Sequence, residues 1–261
     1  MEMKIALVDN IRTGATKGAT GICPCCGSQV IARCGEIRVD HWAHKGARHC
    51  DPWWENETDW HRSWKGNFSA DWQEVIASDE ITGEKHIADI KTDYGLVIEF
   101  QHSRIDPVER RAREKFYKNM IWVVDGTRLK SDYPRFLKGQ HNIRRTNKQG
   151  IFHVNFPAEV FPSIWMSSSV PIIFDYKGSV SLDAQNDPRN LLYVVLPKND
   201  TLAFMTIWTR EHFINAVIQD KLFTNKEVVK IQEQQTLTKR TTFSSLPYIY
   251  QKGRFVKRRR F

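Results

Sequence analysis

The stretch "HIADIKTDYGLVIEFQHSRI", residues 86–105, decides the reading of this chain. Glu99 stands in an apolar run, flanked by Val97, Ile98 and Phe100, where burying an unpaired charge costs several kcal/mol. Gly95 marks a turn between two predicted strands, one carrying Asp89 and the other Glu99. The two-residue period of a strand projects Glu99 and Gln101 to one side, and a hairpin brings Asp89 beside them. Two carboxylates converging on one point repel each other unless a cation lies between them. A hard ion such as Mg²⁺ or Mn²⁺ fits that requirement. The alternative is a structural carboxylate pair neutralised by arginine, with Arg113 on the following helix as its partner.

Outward from this hairpin, "ENETDWHRSWKGNF" reads as a helix and "WQEVIA" as a further strand. "DPVERRAREKFYKNM" has Asp106 at the N-cap, Pro107 at the first helical position and Glu109 three residues after the cap. "IWVVD" follows as a buried strand. The order helix, three strands, helix, strand implies an antiparallel meander with a crossover into a mixed α/β sheet. An apolar stripe of Val108, Ala112 and Phe116 is the expected buried face of the second helix. Beyond residue 140, "LLYVVLP" and "LAFMTIW" read as a hairpin and "EHFINAVIQDK" as a short helix.

All five cysteines lie between positions 23 and 50, which suits a metal site in a reducing compartment better than a disulfide framework. Cys23-x2-Cys26 and His41-x2-His44, 14 residues apart, are two close ligand pairs of the kind that fill a tetrahedral zinc site. Four protein ligands leave no open position, so the expected role of this zinc is structural. Cys25, Cys34, His49 and Cys50 are spare ligands.

There are 39 lysines and arginines against 30 acids, a net charge of +9, which favours a polyanionic partner. The longest apolar stretch is broken by Pro-Lys-Asn-Asp, and the first ten residues lack a signal peptide's basic start and apolar stretch, so the expectation is a cytoplasmic protein that binds DNA and no membrane. Six of nine tryptophans fall between 42 and 72, beside Lys45, Arg48, Arg62 and Lys65. Aromatic platforms beside cations suit nucleic acid, although packing is the commoner fate of tryptophan.

The series "CPCCG", "HWAH", "ETDWHRSWK", "HIADI" and "IEFQHSRI" resembles the CoiA-like nuclease family associated with competence, within the PD-(D/E)xK superfamily. The resemblance covers roughly the first half of the chain. It implies a restriction-endonuclease-like mixed sheet core (51–140), a small N-terminal zinc module (1–50) and an α+β C-terminal extension with a basic tail (141–261). It also implies Glu57 as the helical first carboxylate, followed by His61 and Lys65, with Asp89 and Glu99 as metal ligands. Gln101 occupies the superfamily's usual lysine position, and an amide orients water but carries no charge. Lys65, Lys91 and His102 are the candidates for that missing charge. Arg113 and Tyr117, four residues apart, match an arginine–tyrosine pair behind the catalytic strand and are expected, with Lys65, to serve nucleic-acid binding.

The expected activity is that of a Mg- or Mn-dependent deoxyribonuclease acting in competence, recombination or defence. The rival is a zinc-containing nucleic-acid-binding protein on a nuclease-like fold, without catalysis.

Overall fold

In the computed structural model, which describes residues 2–36, 39–46, 50–53, 57–179, 182, 187–199, 201–222, 248–251 and 254–257, Asp9 and Asn10 have left-handed φ values of 51° and 63°. Two such residues in succession make the tightest hairpin, and Val8 pairs with Ile11 across it. This hairpin belongs to a six-stranded antiparallel sheet. Its strands are β1 (Glu2–Met3), β2 (Ile5–Val8), β3 (Ile11–Gly14), β4 (Thr20–Ile22), β5 (Gln29–Arg33) and β6 (His41–His44), in the order β1-β6-β5-β4-β2-β3. Met3, Ala6, Cys23, Val30 and Trp42 form its small core, and the Trp42 indole donates to the Thr13 carbonyl at 2.9 Å.

Then come α1 (Asp59–Lys65), β7 (Gln73–Ser78), β8 (Lys85–Lys91), β9 (Val97–Gln101), α2 (Pro107–Tyr117) and β10 (Met120–Asp125), matching the predicted order. β7 to β9 form an antiparallel meander, and α2 carries the chain over to β10, parallel to β9. After them lie α3 (Asp132–Gly139), β11 (Ile143–Arg145), β12 (Ile151–Asn155), α4 (Pro157–Val160), β13 (Ile172–Asp175), β14 (Leu191–Asn199), β15 (Leu202–Thr209) and α5 (Arg210–Ile218). The expected break at residue 140 is absent. β11 to β15 continue the same nine-stranded sheet, ordered β11-β12-β15-β14-β13-β10-β9-β8-β7, with β13 parallel to β10. Trp122, Phe136, Phe161, Phe174, Tyr176 and Tyr193 share its main core, so the sheet is completed by residues on both sides of position 140.

The chain divides into two compact units, Met1–Ile214 and Asn215–Phe261. In the second, β16 (Tyr248–Gln251) pairs antiparallel with β17 (Arg254–Lys257). Beyond Lys257 the basic tail lies outside the described residues. No helix among the described residues is long and apolar enough to cross a membrane.

Two local readings change. The Asp106 carboxylate does cap α2, accepting from Val108 N at 2.7 Å. The buried face of that helix, however, is Arg110, Arg113, Glu114 and Tyr117, while Val108 is 66% exposed. Charge pairing makes this possible. Arg110 is ion-paired with Glu114, whose carboxylate also accepts from Ser168 Oγ, Ser169 N and Trp122 Nε1. With partners at hand, the charged face is buried and the apolar stripe loses its claim to the core. Secondly, "HWAH" is the strand β6, and this rearranges the metal site.

Candidate functional site

Cys23 and Cys26 sit on a tight turn closed by Gly27 N donating to Cys23 O and Cys23 N to Ser28 O, with Gly27 at φ 68°. The predicted His41/His44 pair does not converge. Residues three apart on a strand point to opposite sides, and the His41 ring is instead bonded to the Val39 carbonyl at 2.9 Å. Cys50 takes its place. One ligand atom each from Cys23, Cys26, His44 and Cys50 lies within 4.8 Å of all the others, with Cys26 Sγ 3.3 Å from His44 Nε2 and Cys23 Sγ 3.7 Å from Cys50 Sγ.

The neighbouring Asp51 delivers Cys50. Its buried carboxylate accepts from Ile87 N at 2.8 Å and Trp53 N at 2.9 Å, and meets His86 Nδ1 at 2.9 Å. The fourth ligand is therefore anchored on β8 of the large sheet.

The thiols are electrostatically unequal. A hydrogen bond from Cys50, helped by the backbone N–H groups of Cys26 and Cys25, holds Cys23 down at about 5 against the opposing effect of burial. The bonds to Cys23 and Cys25 push the Cys50 thiol up. Three sulfurs and one imidazole fit zinc in chemistry and number. His44 Nδ1 is buried without a hydrogen-bond partner among the described residues, so the ring's orientation depends on what Nε2 binds.

The carboxylate site forms where β8 and β9 part. Their registered pairs are Lys91 with Val97 and Ile90 with Ile98. Beyond these, side chains replace backbone carbonyls as acceptors between the strands. Asp89 Oδ2 accepts from Phe100 N at 2.9 Å, and Glu99 Oε1 accepts from Asp89 N at 3.2 Å. Glu99 is only 4% exposed, and its second oxygen meets Arg113 Nη1 at 2.9 Å. Burial, then the neighbouring Asp89 charge, push the Glu99 carboxyl up to about 8, against the pull of Arg113. The glutamate in the apolar strand is therefore both bonded into the sheet and ion-paired.

From α1, Lys65 enters this cluster almost fully buried. Its Nζ pairs with Glu57, lies 3.1 Å from Glu74 Oε1 and 3.8 Å from Asp89 Oδ1. Burial opposes its charge, but Glu74, Asp89 and Glu57 together raise its pKa. Glu57 also meets Arg62 Nε at 2.9 Å.

His61 is equally buried. Nε2 donates to the Phe100 carbonyl at 2.7 Å, while Nδ1 lies 2.9 Å from Thr58 Oγ1 within the α1 capping box. Burial, foremost, lowers the His61 pKa. This ring fastens α1 to β9.

The structure brings Glu57, Lys65, Asp89 and Glu99 together and adds Glu74. Glu74 adopts a left-handed φ of 49° in β7, and its carboxylate also accepts from Lys4 N and Ile5 N, at 3.0 Å each. The small sheet is thereby tied to the carboxylate cluster. Gln101 is not among the cluster's contacts. Its amide donates to Ser103 O at 3.3 Å, and it lines a pocket of about 560 Å³ with Arg104, Asp125, Arg128 and Asp132.

Arg113 and Tyr117, expected at nucleic acid, are buried behind the strand. Arg113 binds Glu99, Glu109 and the Trp53 carbonyl, so its fork is committed inside the protein. Trp60 and Trp64 are buried as well, and both indoles donate to Asp175 Oδ2, at 2.9 and 3.1 Å. They pack α1 onto the sheet and offer no platform. Trp54 and His49 lie outside the described residues.

Glu74 had a signal that sequence reading passed over. It is a carboxylate inside a predicted strand, as Glu99 is. Asp175 closes the apolar "PIIFD" in the same way that Asp125 closes "IWVVD".

No curated protein and no solved structure matches this chain. Residues 11–52, which span the turn and strands that carry Cys23, Cys26, His44 and Cys50, match the family model described as the N-terminal domain of competence protein CoiA, and that match bears out the CoiA-like resemblance.

Proposed function

We propose that this chain is a metal-dependent nuclease that hydrolyses DNA phosphodiesters in a competence-related role. The observation that carries the reading is the convergence of Glu57, Glu74, Asp89 and Glu99 around Lys65 where β8 and β9 part. Hydrolytic phosphodiester sites need oxygen donors that do not bond to one another, and this group supplies four. Asp89, with a side chain 26% exposed and one oxygen 3.8 Å from Lys65, is the most available; Glu99 can share a lone pair of an oxygen that already accepts one hydrogen bond. Mg²⁺ or Mn²⁺ held by these two would neutralise phosphate oxygens and lower the pKa of a bound water.

The protein's own residues set the stage. Lys65 holds Glu57 and Glu74 beside Asp89. Phe100 N orients the Asp89 carboxylate, and Arg113 orients Glu99. The family match of residues 11–52 supports the competence-related role.

One observation favours the non-catalytic rival. Burial raises Glu99 to about 8 and its second oxygen already meets Arg113, so the carboxyl is partnered without a metal. A cleavage assay separates the readings. Single-stranded, duplex and branched DNA are each incubated with and without Mg²⁺ or Mn²⁺. The nuclease reading requires metal-dependent cleavage of at least one form that Asp89→Ala abolishes. Salt-sensitive binding with no cleavage of any form establishes the rival.

A further inference from the structure

Gln101 leaves the site without the charged proton donor that a lysine there supplies, and the three candidate replacements have different surroundings. Lys65 is enclosed by Glu57, Glu74 and Asp89. Lys91 pairs with Val97 at the opposite end of β9 from Gln101. His102 directly follows Gln101, where β9 ends. Because β9 and β10 run parallel with Gln101 opposite Val124, the next residue on each strand places His102 beside Asp125.

There His102 Nδ1 lies 2.7 Å from Asp125 Oδ2. Asp125 is buried, and its other oxygen accepts from Thr127 N at 2.8 Å and Thr127 Oγ1 at 2.6 Å. A carboxylate accepts only, so Nδ1 carries hydrogen and Nε2 is the nitrogen left for exchange. The His102 side chain is 36% exposed against 3% for Asp125, and Nε2 has no hydrogen-bond partner among the described residues. His61 shows the contrast: it is buried, with both ring nitrogens engaged, 6.1 Å from the His102 ring. The groups facing His102 are Asp125 on β10 and His61 and Trp60 on α1.

Resting on the nuclease reading, we propose that His102 is the proton donor to the leaving group, with Asp125 as its positioning residue. An imidazole aligned by a buried carboxylate that is itself pinned by a hydroxyl and an N–H is the general arrangement of an oriented acid–base group. In the step, the water oxygen bonds to phosphorus as the bond to the leaving oxygen breaks. With the imidazole protonated on both nitrogens, the departing alkoxide takes the Nε2 proton and leaves the neutral Nδ1–H ring. The water's surplus proton passes to solvent, and the imidazole regains one from solvent.

The test uses the full chain, the DNA form that the wild type cleaves, and a matched strand with sulfur at the bridging leaving position. A thiolate departs without a proton. His102→Ala is expected to slow ordinary DNA by roughly 10²–10⁴-fold, with most of that difference vanishing on the sulfur strand and the fall in rate at high pH abolished. His102→Gln, which keeps size and polarity, should be equally slow on ordinary DNA. Asp125→Asn should lose rate less, with a shifted pH profile. Imidazole nitrogen NMR of the intact protein gives a readout that needs no turnover: once the ring is neutral, a proton on Nδ1 supports the assignment, and one on Nε2 overturns it. Equal rates for wild type and both His102 variants overturn the inference and leave the nuclease reading standing. A wild type that cleaves no DNA form with either cation overturns both.

Discussion

In the Cys/His cluster, three sulfurs and an imidazole converge, and no lysine or arginine among the described residues is ion-paired with them. In the carboxylate cluster, Lys65, Arg62 and Arg113 already stand between the acids. Both groups consist of metal-ligand side chains within Met1–Ile214, yet one lacks an internal counter-charge and the other is nearly saturated with them. On the proposed reading, the difference separates a metal that would hold structure from a metal that would perform chemistry. The small sheet has five buried apolar residues at its centre, a core that a structural ion would supplement. The large sheet has an extensive core, and its acids are fixed before any ion arrives.

The largest expected effect is on the first cluster. Chelation, Cys26→Ala or Cys50→Ala should release about one zinc per chain, since structural zinc binding contributes on the order of 10 kcal/mol to folding. Amide exchange across residues 2–46 should then accelerate while β10 and β13 stay protected. His41→Ala should retain the metal. Elemental analysis with exchange checks this, and loss of zinc from His41→Ala alone would restore the paired-histidine site.

Removing the internal cation of the second cluster comes next. Lys65→Met leaves Glu57, Glu74 and Asp89 facing each other with little compensation. We expect a loss of about 3–5 kcal/mol, typical of breaking a buried pair, measurable by urea unfolding. An unchanged midpoint would mean that the cluster is not held by Lys65.

Asp89 and Glu99 should behave differently from each other. Asp89→Ala leaves Phe100 N without its acceptor, which costs roughly 1–3 kcal/mol, while cleavage disappears. Glu99→Ala also removes the buried one of the two carboxylates paired with Arg113, so its melting temperature should fall further. Equal melting temperatures for the two variants would show that the Arg113 pair contributes nothing.

The smallest effect is in pH dependence. Glu99 is raised to about 8 from an ordinary glutamate value. Between those two values the folded state binds the extra proton, so the Glu99 contribution to stability falls as pH rises through that window. Glu99→Gln removes this slope, and the variant should gain on the wild type between pH 5 and 8 in parallel thermal melts. An identical slope in both proteins would assign the pH dependence elsewhere.

What could be read from sequence tracks how local its cause is. α1, β7 to β10 and the Asp106 cap announce themselves through periodicity and a capping side chain, and each is in place. The strands of the small sheet are two to five residues long, too short for a period to emerge. Replacement of His41 by Cys50 follows from a long-range cause, the anchoring of Asp51 on β8. The buried face of α2 misled because its charged groups are partnered by Glu99 and by hydrogen bonds to Ser167–Ser169, residues that sequence spacing does not connect with it. Glu57, Lys65, Asp89 and Glu99 were legible as a group, whereas their exchange of partners through Lys65 and Arg113 was not.

The Asp175 contacts also set a timetable for synthesis. Trp60 and Trp64 bond to a carboxylate 115 and 111 residues further along the chain. Contacts so distant in sequence form late, after the loop between them has been closed. A nascent chain that has emerged only to β10 holds the ligands of both clusters and the His61 contact to β9, but lacks the carboxylate to which Trp60 and Trp64 donate. The packing of α1 is therefore completed only after β13 leaves the ribosome, and chains arrested before residue 175 should leave α1 more open to protease than longer ones.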